Sequence, residues 1–365
     1  MGKSVIISGY YGFDNSGDDA ILKAIVKDLR KMNSNLNISA FSNNPQSTEE
    51  VYGIKAVNRI NIWEVFKGIY SSDMLISGGG SLLQDITSTR SILYYLSLIN
   101  IAKLLKKPVV IYANGIGPIN KKINKILTRK ALNNVDLITL RDYNSKNTLE
   151  EIGVKGKIVV TSDPVFTLEP SSREIIDKIF EEEGIPKDNQ IIGISVRNWK
   201  NSKNLVDVVS KAIEYIDSTY DVKTVLIPMH YPEDLDISME IAQKSNSPNC
   251  YVIKNKYSVE DMMGIIDRFE LIIAMRLHSL IYAAAQAVPM IGLVYDPKVD
   301  GLLEVLEVYA KCDAENVELI ELCSLIDKTW KERASIKKSL NIKKEELREK
   351  ALDNVKMTLD VLKSR

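Results

Sequence analysis

Apolar residues in this chain fall mainly in short runs, each closed by glycine, polar or charged residues and followed by a longer segment with helical spacing. Val5-Ile6-Ile7, the stretch 38–41, Met74-Leu75-Ile76, Val109-Val110-Ile111 and Leu137-Ile138 form one such series. Ile191-Ile192, Val225-Leu226-Ile227, Val252-Ile253, Leu271-Ile272-Ile273-Ala274 and Ile291-Gly292-Leu293-Val294 form a second. A continuous apolar run marks a strand buried on both faces, which occurs where helices cover a parallel sheet from both sides. The segments between the runs, such as 91–106, 203–219 and 259–267, have the spacing of crossover helices. An α/β protein with doubly wound parallel sheets is therefore expected.

Between the two series lies Glu169-Pro170-Ser171-Ser172-Arg173, the best linker candidate. It sets expected domains at 1–170 and 171–330. Beyond them Ile336, Leu340, Leu347, Leu352, Val355, Leu359 and Leu362 are spaced for one face of a helical tail, 331–365. Its charges are mixed, which fits a solvated helix face better than a basic membrane anchor.

Ligands of open α/β sheets bind beyond the carboxyl ends of the strands, so the residues that close each run are the candidates. In the second series these are Arg197, Trp199 and Lys200, then His230, then Arg276 with His278, then Tyr295 with Asp296. If the strands are parallel, all four sets share one edge. A cation and an imidazole at a helix N-terminus can meet a phosphate or carboxylate, and this chain has only two histidines, both just after an apolar run. In the first series the closing residues include Gly12, Asn15, Ser16, Gly17, Asp18 and Asp19, a glycine-rich turn into a helix. The glycine spacing does not match the nucleotide fingerprint, and the two aspartates would repel a phosphate. They suit sugar hydroxyls or a general base. Gly78-Gly79-Gly80 is costly to order and points to a sharp turn or a backbone lying against a ligand. Asn114 and Arg141 close later runs.

Bulk properties narrow the classes. With 365 residues, 48 Lys+Arg and 48 Asp+Glu, the chain fits two globular domains and has no broad basic field for nucleic acid. Cys250, Cys312 and Cys323 lack metal-ligand spacing and suggest reduced thiols, so no metal is expected. The N-terminal apolar run is too short for a signal peptide, and no run reaches the roughly 18 apolar residues of a membrane span. A cytoplasmic protein is expected.

Taken in order, Gly12-Phe13-Asp14-Asn15-Ser16-Gly17-Asp18, Ser77-Gly78-Gly79-Gly80-Ser81-Leu82-Leu83-Gln84-Asp85, Ser162-Asp163-Pro164 and Met275-Arg276-Leu277-His278 resemble the polysaccharide pyruvyl transferase family, in particular its bacterial CsaB type. One position departs from the pattern: Asp19 stands where glutamate is usual. The resemblance implies two Rossmann-like doubly wound domains facing across a cleft, as in glycosyltransferases of the B type. It implies phosphoenolpyruvate as pyruvyl donor and co-substrate, with no cofactor, and a sugar or lipid-linked saccharide acceptor such as N-acetylmannosamine of a secondary cell-wall polymer precursor. On that basis Arg197, Lys200, Arg276 and His278 are expected on the donor, since two arginines can hold a phosphate and a carboxylate with paired hydrogen bonds. His278, Arg276 and Asp18 are the expected catalytic residues, His278 as the acid or the phosphate partner and Asp18 as the base. Asn15, Gly17, Asp18, Gly79, Gly80, Ser81, Gln84, Asn114 and Arg141 are expected on the acceptor side. Contact with the inner face of the plasma membrane follows if the acceptor is lipid-linked. Two other readings stand beside this one: a nucleotide-sugar glycosyltransferase, with Asp296 or Glu304 on the ribose, and a sugar-binding protein without turnover.

Overall fold

The structure, a computed structural model, describes residues 2–86, 89–199, 202 and 204–364. It divides into two compact units, one of residues 1–167 together with 347–365, the other of residues 168–346. The chain passes from the first unit to the second between Thr167 and Leu168, just ahead of Glu169, and the tail is not a separate piece.

The first unit begins with β1 (Ser4–Ser8), α1 (Ser16–Met32), β2 (Asn37–Ser42), α2 (Pro45–Tyr52), β3 (Lys55–Asn58), α3 (Ile62–Ser71) and β4 (Met74–Ser77). It continues with β5 (Gly80–Leu83), α4 (Thr89–Leu104), β6 (Val109–Ile116), α5 (Lys122–Leu132), β7 (Leu137–Leu140), α6 (Tyr143–Glu151) and β8 (Ile158–Val160). Seven strands run in the order β3-β2-β1-β4-β6-β7-β8, with β5 beside β6, and every pairing is parallel. The segment 80–83, read as a ligand loop, contributes instead a short strand. One core layer joins Ile6, Leu75 and Ile111 of the sheet to Val65 and Ile69 of α3 and to Ile92, Leu96 and Ile99 of α4.

The second unit holds α7 (Arg173–Glu182), β9 (Ile191–Ser195), α8 (Leu205–Thr219), β10 (Lys223–Leu226), α9 (Glu233–Ser245), β11 (Cys250–Val252) and α10 (Val259–Asp267). Then come β12 (Leu271–Ala274), α11 (Leu277–Ala285), β13 (Met290–Val294), α12 (Pro297–Val305), β14 (Lys311–Asp313) and α13 (Leu319–Lys363). Its six strands are parallel in the order β11-β10-β9-β12-β13-β14. The apolar runs are buried as expected except for Val294 at the end of β13, which is half-buried, each large buried aliphatic side chain contributing roughly 1.5–3 kcal/mol.

Helix α13 is longer than the expected tail, and its last turns belong to the first unit. There Leu347, Ala351, Val355, Leu359 and Leu362 are buried. Asn354, also buried, donates to the Ser162 carbonyl at 3.1 Å and accepts from Thr161 Oγ1 at 2.8 Å. Most of the tail's apolar stripe is core, with Ile336 and Leu352 half-buried.

Candidate functional site

In each sheet the strand order reverses once, and the loops on either side of that reversal diverge to leave a crevice. In the second unit the reversal lies between β9 and β12, whose last residues Ser195 and Ala274 are register partners. Arg197 and Arg276 each follow two residues later, so the two arginines leave adjacent strands on the same edge. The parallel pairing of β10 and β13 brings His230, Tyr295 and Asp296 to that edge too.

Arg276 is the N-cap residue of α11, with extended backbone. Its Nε donates to Asp234 Oδ2 at 2.8 Å and its Nη2 to Asp234 Oδ1. Asp234 is fully buried in the first turn of α9 and also accepts from the Met229 and His230 amides at 3.2 and 3.1 Å. The expectation of a paired Arg276 grip on a donor is corrected here. A buried carboxylate needs a charged partner, and it already holds the Nε–Nη2 edge.

Arg197 is different. Its guanidinium lies 5.6 Å from the Trp199 ring and 5.5 Å from that of Tyr295, two rings set edge to face at 4.8 Å. Nη1 donates to the Tyr295 hydroxyl at 3.4 Å, and Trp199 is fixed by its Nε1 donating to Glu315 at 2.8 Å. Arg197 Nε is buried without a hydrogen-bond partner among the described residues. Such a donor is costly to leave unmade. This is where the edge gains most from an anion.

His278 occupies the first turn of α11, partly buried, with its ring edge-on to Tyr282 at 6.5 Å. His230 pairs through Nδ1 with Glu233 at 3.4 Å. Asp296 caps α12, accepting from the Lys298 amide at 2.9 Å. Glu304 is exposed at the far end of that helix, about 10 Å along its axis from the strand edge, which removes it from a ribose-binding role. Lys200 lies outside the described residues.

In the first unit the reversal falls between β1 and β4. Asn15 caps α1, accepting from the Gly17 and Asp18 amides at 3.1 and 3.4 Å. Gly80 has φ +90°, and a Cβ there would stand 3.0 Å from Asp18 Oδ1, so the Asp18 carboxylate lies directly against this glycine. Gly78 and Gly79 serve packing instead. Cβ atoms on them would meet the Tyr11 hydroxyl at 2.2 Å and Ile21 at 2.9 Å, which corrects the acceptor-side expectation for Gly79.

Three more acceptor-side expectations change. Asn114 is fully buried and donates to the carbonyls of Gly78 at 2.6 Å, Ser77 at 3.1 Å and Tyr112 at 3.2 Å; it braces the glycine turn from beneath. Arg141 is buried, donating from Nη1 to Asp163 at 3.0 Å and from Nη2 to the Ser81 hydroxyl at 3.0 Å. Its charge is answered within the unit, so Arg141 is not left to meet a ligand, while the partly exposed Ser81 hydroxyl keeps its own proton to donate. Gln84 accepts from the Ile86 amide at 3.0 Å in a local turn. Burial pushes the neighbouring Asp85 carboxyl up, but the Asn120 and Lys121 amides and Asn124 donate to it and together carry it below its ordinary value.

Four features of these edges escaped the sequence reading. Asp234 is one; its signal was an acid four residues after His230 at the start of a helix. The others are Tyr10, Phe13 and Arg59. Tyr10 and Phe13 stack at 4.0 Å in the loop after β1, with the Arg59 guanidinium 5.1 Å from the Phe13 ring and 4.7 Å from Tyr94. Two aromatics flanking Gly12 were the only hint.

Among the described residues there is no group of three or more His, Cys, Asp or Glu that could hold a metal ion. No described helix is long and apolar enough to cross a membrane. Burial raises the Cys250 and Cys312 thiols to about 11 and about 12, away from nucleophilic use.

A family model described as polysaccharide pyruvyl transferase matches residues 15–297. The chain belongs to that family. The match opens on the Asn15 cap and closes at Pro297, so it takes in the second strand edge and the first from Asn15 onward. No curated protein matches the sequence. Among solved structures, the pyruvyl transferase chain is similar to UDP-GlcNAc 2-epimerase of Methanocaldococcus jannaschii, with TM-score 0.66, 16% identity and coverage of 90% of this chain and 93% of that one. The Neisseria meningitidis UDP-GlcNAc 2-epimerase bound to UDP-GlcNAc gives TM-score 0.67 and 14% identity over 100% of both chains. Anabaena HepE in complex with UDP-glucose gives 0.67 and 12% over 98% of this chain and 99% of that one. At these identities the likeness establishes the fold, two parallel α/β sheets of glycosyltransferase-B type.

Proposed function

We propose that this pyruvyl transferase moves the enolpyruvyl unit of phosphoenolpyruvate onto two hydroxyls of a sugar, forming a cyclic ketal and releasing phosphate. The observation that carries the donor assignment is Arg197, whose buried Nε is unmatched at the sheet reversal of the second unit, beside Arg276 and His278. The donor's phosphate and carboxylate answer that donor group and the outer side of the Arg276 guanidinium. His278 gives a proton to the methylene carbon, and the resulting cationic centre is attacked by one hydroxyl. The bond from that carbon to the phosphate oxygen then breaks, and a second hydroxyl closes the ketal. Of the two hydroxyl protons, one balances the proton placed on carbon and the other leaves with phosphate. Asp18, held against Gly80, is the base, and the stacked Tyr10–Phe13 pair offers an apolar face to a sugar ring.

The acceptor we favour is an N-acetylmannosamine unit of a lipid-linked cell-wall polymer precursor, as in CsaB-type members, handled at the inner face of the membrane. The similarity to proteins solved with UDP-sugars supports a second reading, transfer from a nucleotide sugar. Against it, Asp296 is engaged in capping α12. Incubation with phosphoenolpyruvate, a nucleotide sugar and a mannosamine-containing acceptor separates the two. Pyruvyl transfer frees phosphate and adds a ketal to the product mass. Release of nucleotide with a gain of one sugar unit would overturn the proposal.

A further inference from the structure

Helix α3 shows its apolar side to solvent. Val65 and Ile69 are buried against the sheet, while Ile62, Trp63, Phe66 and Tyr70 on the other face are exposed, Trp63 by 83%. Ile60, just before the helix, is exposed as well. Phe66 and Tyr70 stack at 6.4 Å, and the Lys107 ammonium lies 5.9 Å from the Tyr70 ring, which links α3 to the end of α4. Helix α3 packs on α4 and α4 on α5, so the three form one layer over the sheet. On this layer Leu104, Ile123 and Ile126 are exposed too.

The charge of this layer is one-sided. Residues 86–135 contain nine Lys and Arg and no Asp or Glu, in a chain whose totals are equal at 48 each. Lys121, Lys122 and Lys125 are exposed beside Ile123 and Ile126. Glu64 is the acid on α3 itself, and it accepts from the Asn58 amide and Asn61. An exposed Trp, Tyr and aliphatic stripe bordered by lysines has the composition of an element that lies in a lipid interface.

We propose that the α3–α4–α5 layer is a docking surface for an anionic lipid bilayer, with Trp63 and Phe66 entering the interface and the lysines of α5 meeting phosphate headgroups. A second copy of the chain is a poorer occupant, because like faces would bring two cationic patches together. The inference goes beyond the reaction proposed above, since this face would bind bilayers whatever the enzyme transfers.

The test is co-sedimentation of the full chain with sucrose-loaded vesicles of phosphatidylglycerol and phosphatidylcholine, against vesicles of phosphatidylcholine alone. Binding is expected only to the anionic vesicles and should weaken as salt rises. Lys121→Glu/Lys122→Glu/Lys125→Glu should reduce partitioning by roughly a hundredfold or more, and Trp63→Glu/Phe66→Glu should abolish it. Both sets alter exposed side chains, so melting temperatures should hold and show that the variants are folded. Lys337→Glu/Lys338→Glu on α13 should bind as the unaltered chain does. Failure of the unaltered chain to sediment with anionic vesicles, equal binding to neutral ones, or loss of binding only in the α13 variant would each overturn the proposal. So would a self-association that disappears with Trp63→Glu while no vesicle is bound.

Discussion

Each unit places an arginine just past a strand end, after β7 in the first and after β12 in the second, and gives it a buried aspartate, yet the two edges differ in character. Arg141 is sealed: Asp163 and Ser81 take its donors, and it lies flat over Gly115, where a Cβ would approach Nη2 to 2.7 Å. Arg276 keeps one side outward while Asp234 holds the other, and beside it stand Arg197 and His278. The first edge thus presents Asp14, Asp18 and Asp19 with an aromatic pair, and the second presents guanidinium and imidazole. One topology carries an acidic, aromatic edge in the first unit and a cationic one in the second because the residues after each strand, not the strands, carry the charge.

The largest expected effect falls on the cationic edge. His278→Ala should lower kcat by about 10²–10⁴-fold, the usual contribution of a positioned acid, with the melting temperature unchanged because the ring is only partly buried. Phosphate release from phosphoenolpyruvate measures it. Unaltered turnover would erase the chemical distinction between the edges.

The aspartates come next, and here the two edges should behave alike. Asp234→Ala or Asp163→Ala leaves an arginine without its partner, and removing one member of a buried pair typically costs about 3–5 kcal/mol. Denaturant unfolding of the two variants would test this. A cost below about 1 kcal/mol at either position would mean that water already relieves the pair there.

The same conservative change at both arginines sharpens the contrast. Arg276→Lys should raise the donor KM roughly tenfold to a hundredfold, because a point charge cannot serve Asp234 and an anion with a planar fork. Arg141→Lys should reduce stability and leave donor KM where it is. Equal effects on donor KM would place Arg141 in contact with substrate after all.

These contrasts also mark how far the sequence could be read. The strands and the four residue sets that close those of the second unit were legible because buried parallel strands impose continuous apolar runs, and what closes a run must lie at its end; the strand order and its reversals were not. Which arginine is held by an aspartate was not legible. Arg276 meets an aspartate 42 positions earlier and Arg141 one 22 positions later, and such pairings depend on strand order rather than on any local spacing. The glycine triplet misled for a similar reason. Two of its members make room for Tyr11 and Ile21, side chains whose direction is set only once β1 and β4 are paired. The tail was read by its stripe, but whether a stripe meets solvent or core depends on the partner, here Thr161 and Ser162 of the first unit.

The smallest effect tests whether the acidic character of the first unit extends behind its edge. Asp28, on the inner side of α1, accepts from Thr167 Oγ1 at 2.8 Å. Burial raises its carboxyl from 3.8 to about 6, against the lowering by the Thr167 hydroxyl and by Lys27, Lys31 and Arg348. The folded state therefore holds a proton that the unfolded chain releases between pH 3.8 and about 6. This group's contribution to stability is fully present below pH 3.8 and is lost as the pH rises through about 6. Asp28→Asn keeps an acceptor for Thr167 and removes the charge, so at pH 7 the variant should be more stable by about 1 kcal/mol, less than the roughly 3 kcal/mol that the whole shift would represent. Near pH 4 the advantage should vanish. Urea unfolding at the two pH values decides it: a gain that persists at pH 4 would mean that packing rather than the proton separates Asn from Asp, and a loss at pH 7 would mean that the ionised carboxylate is held by those three cations.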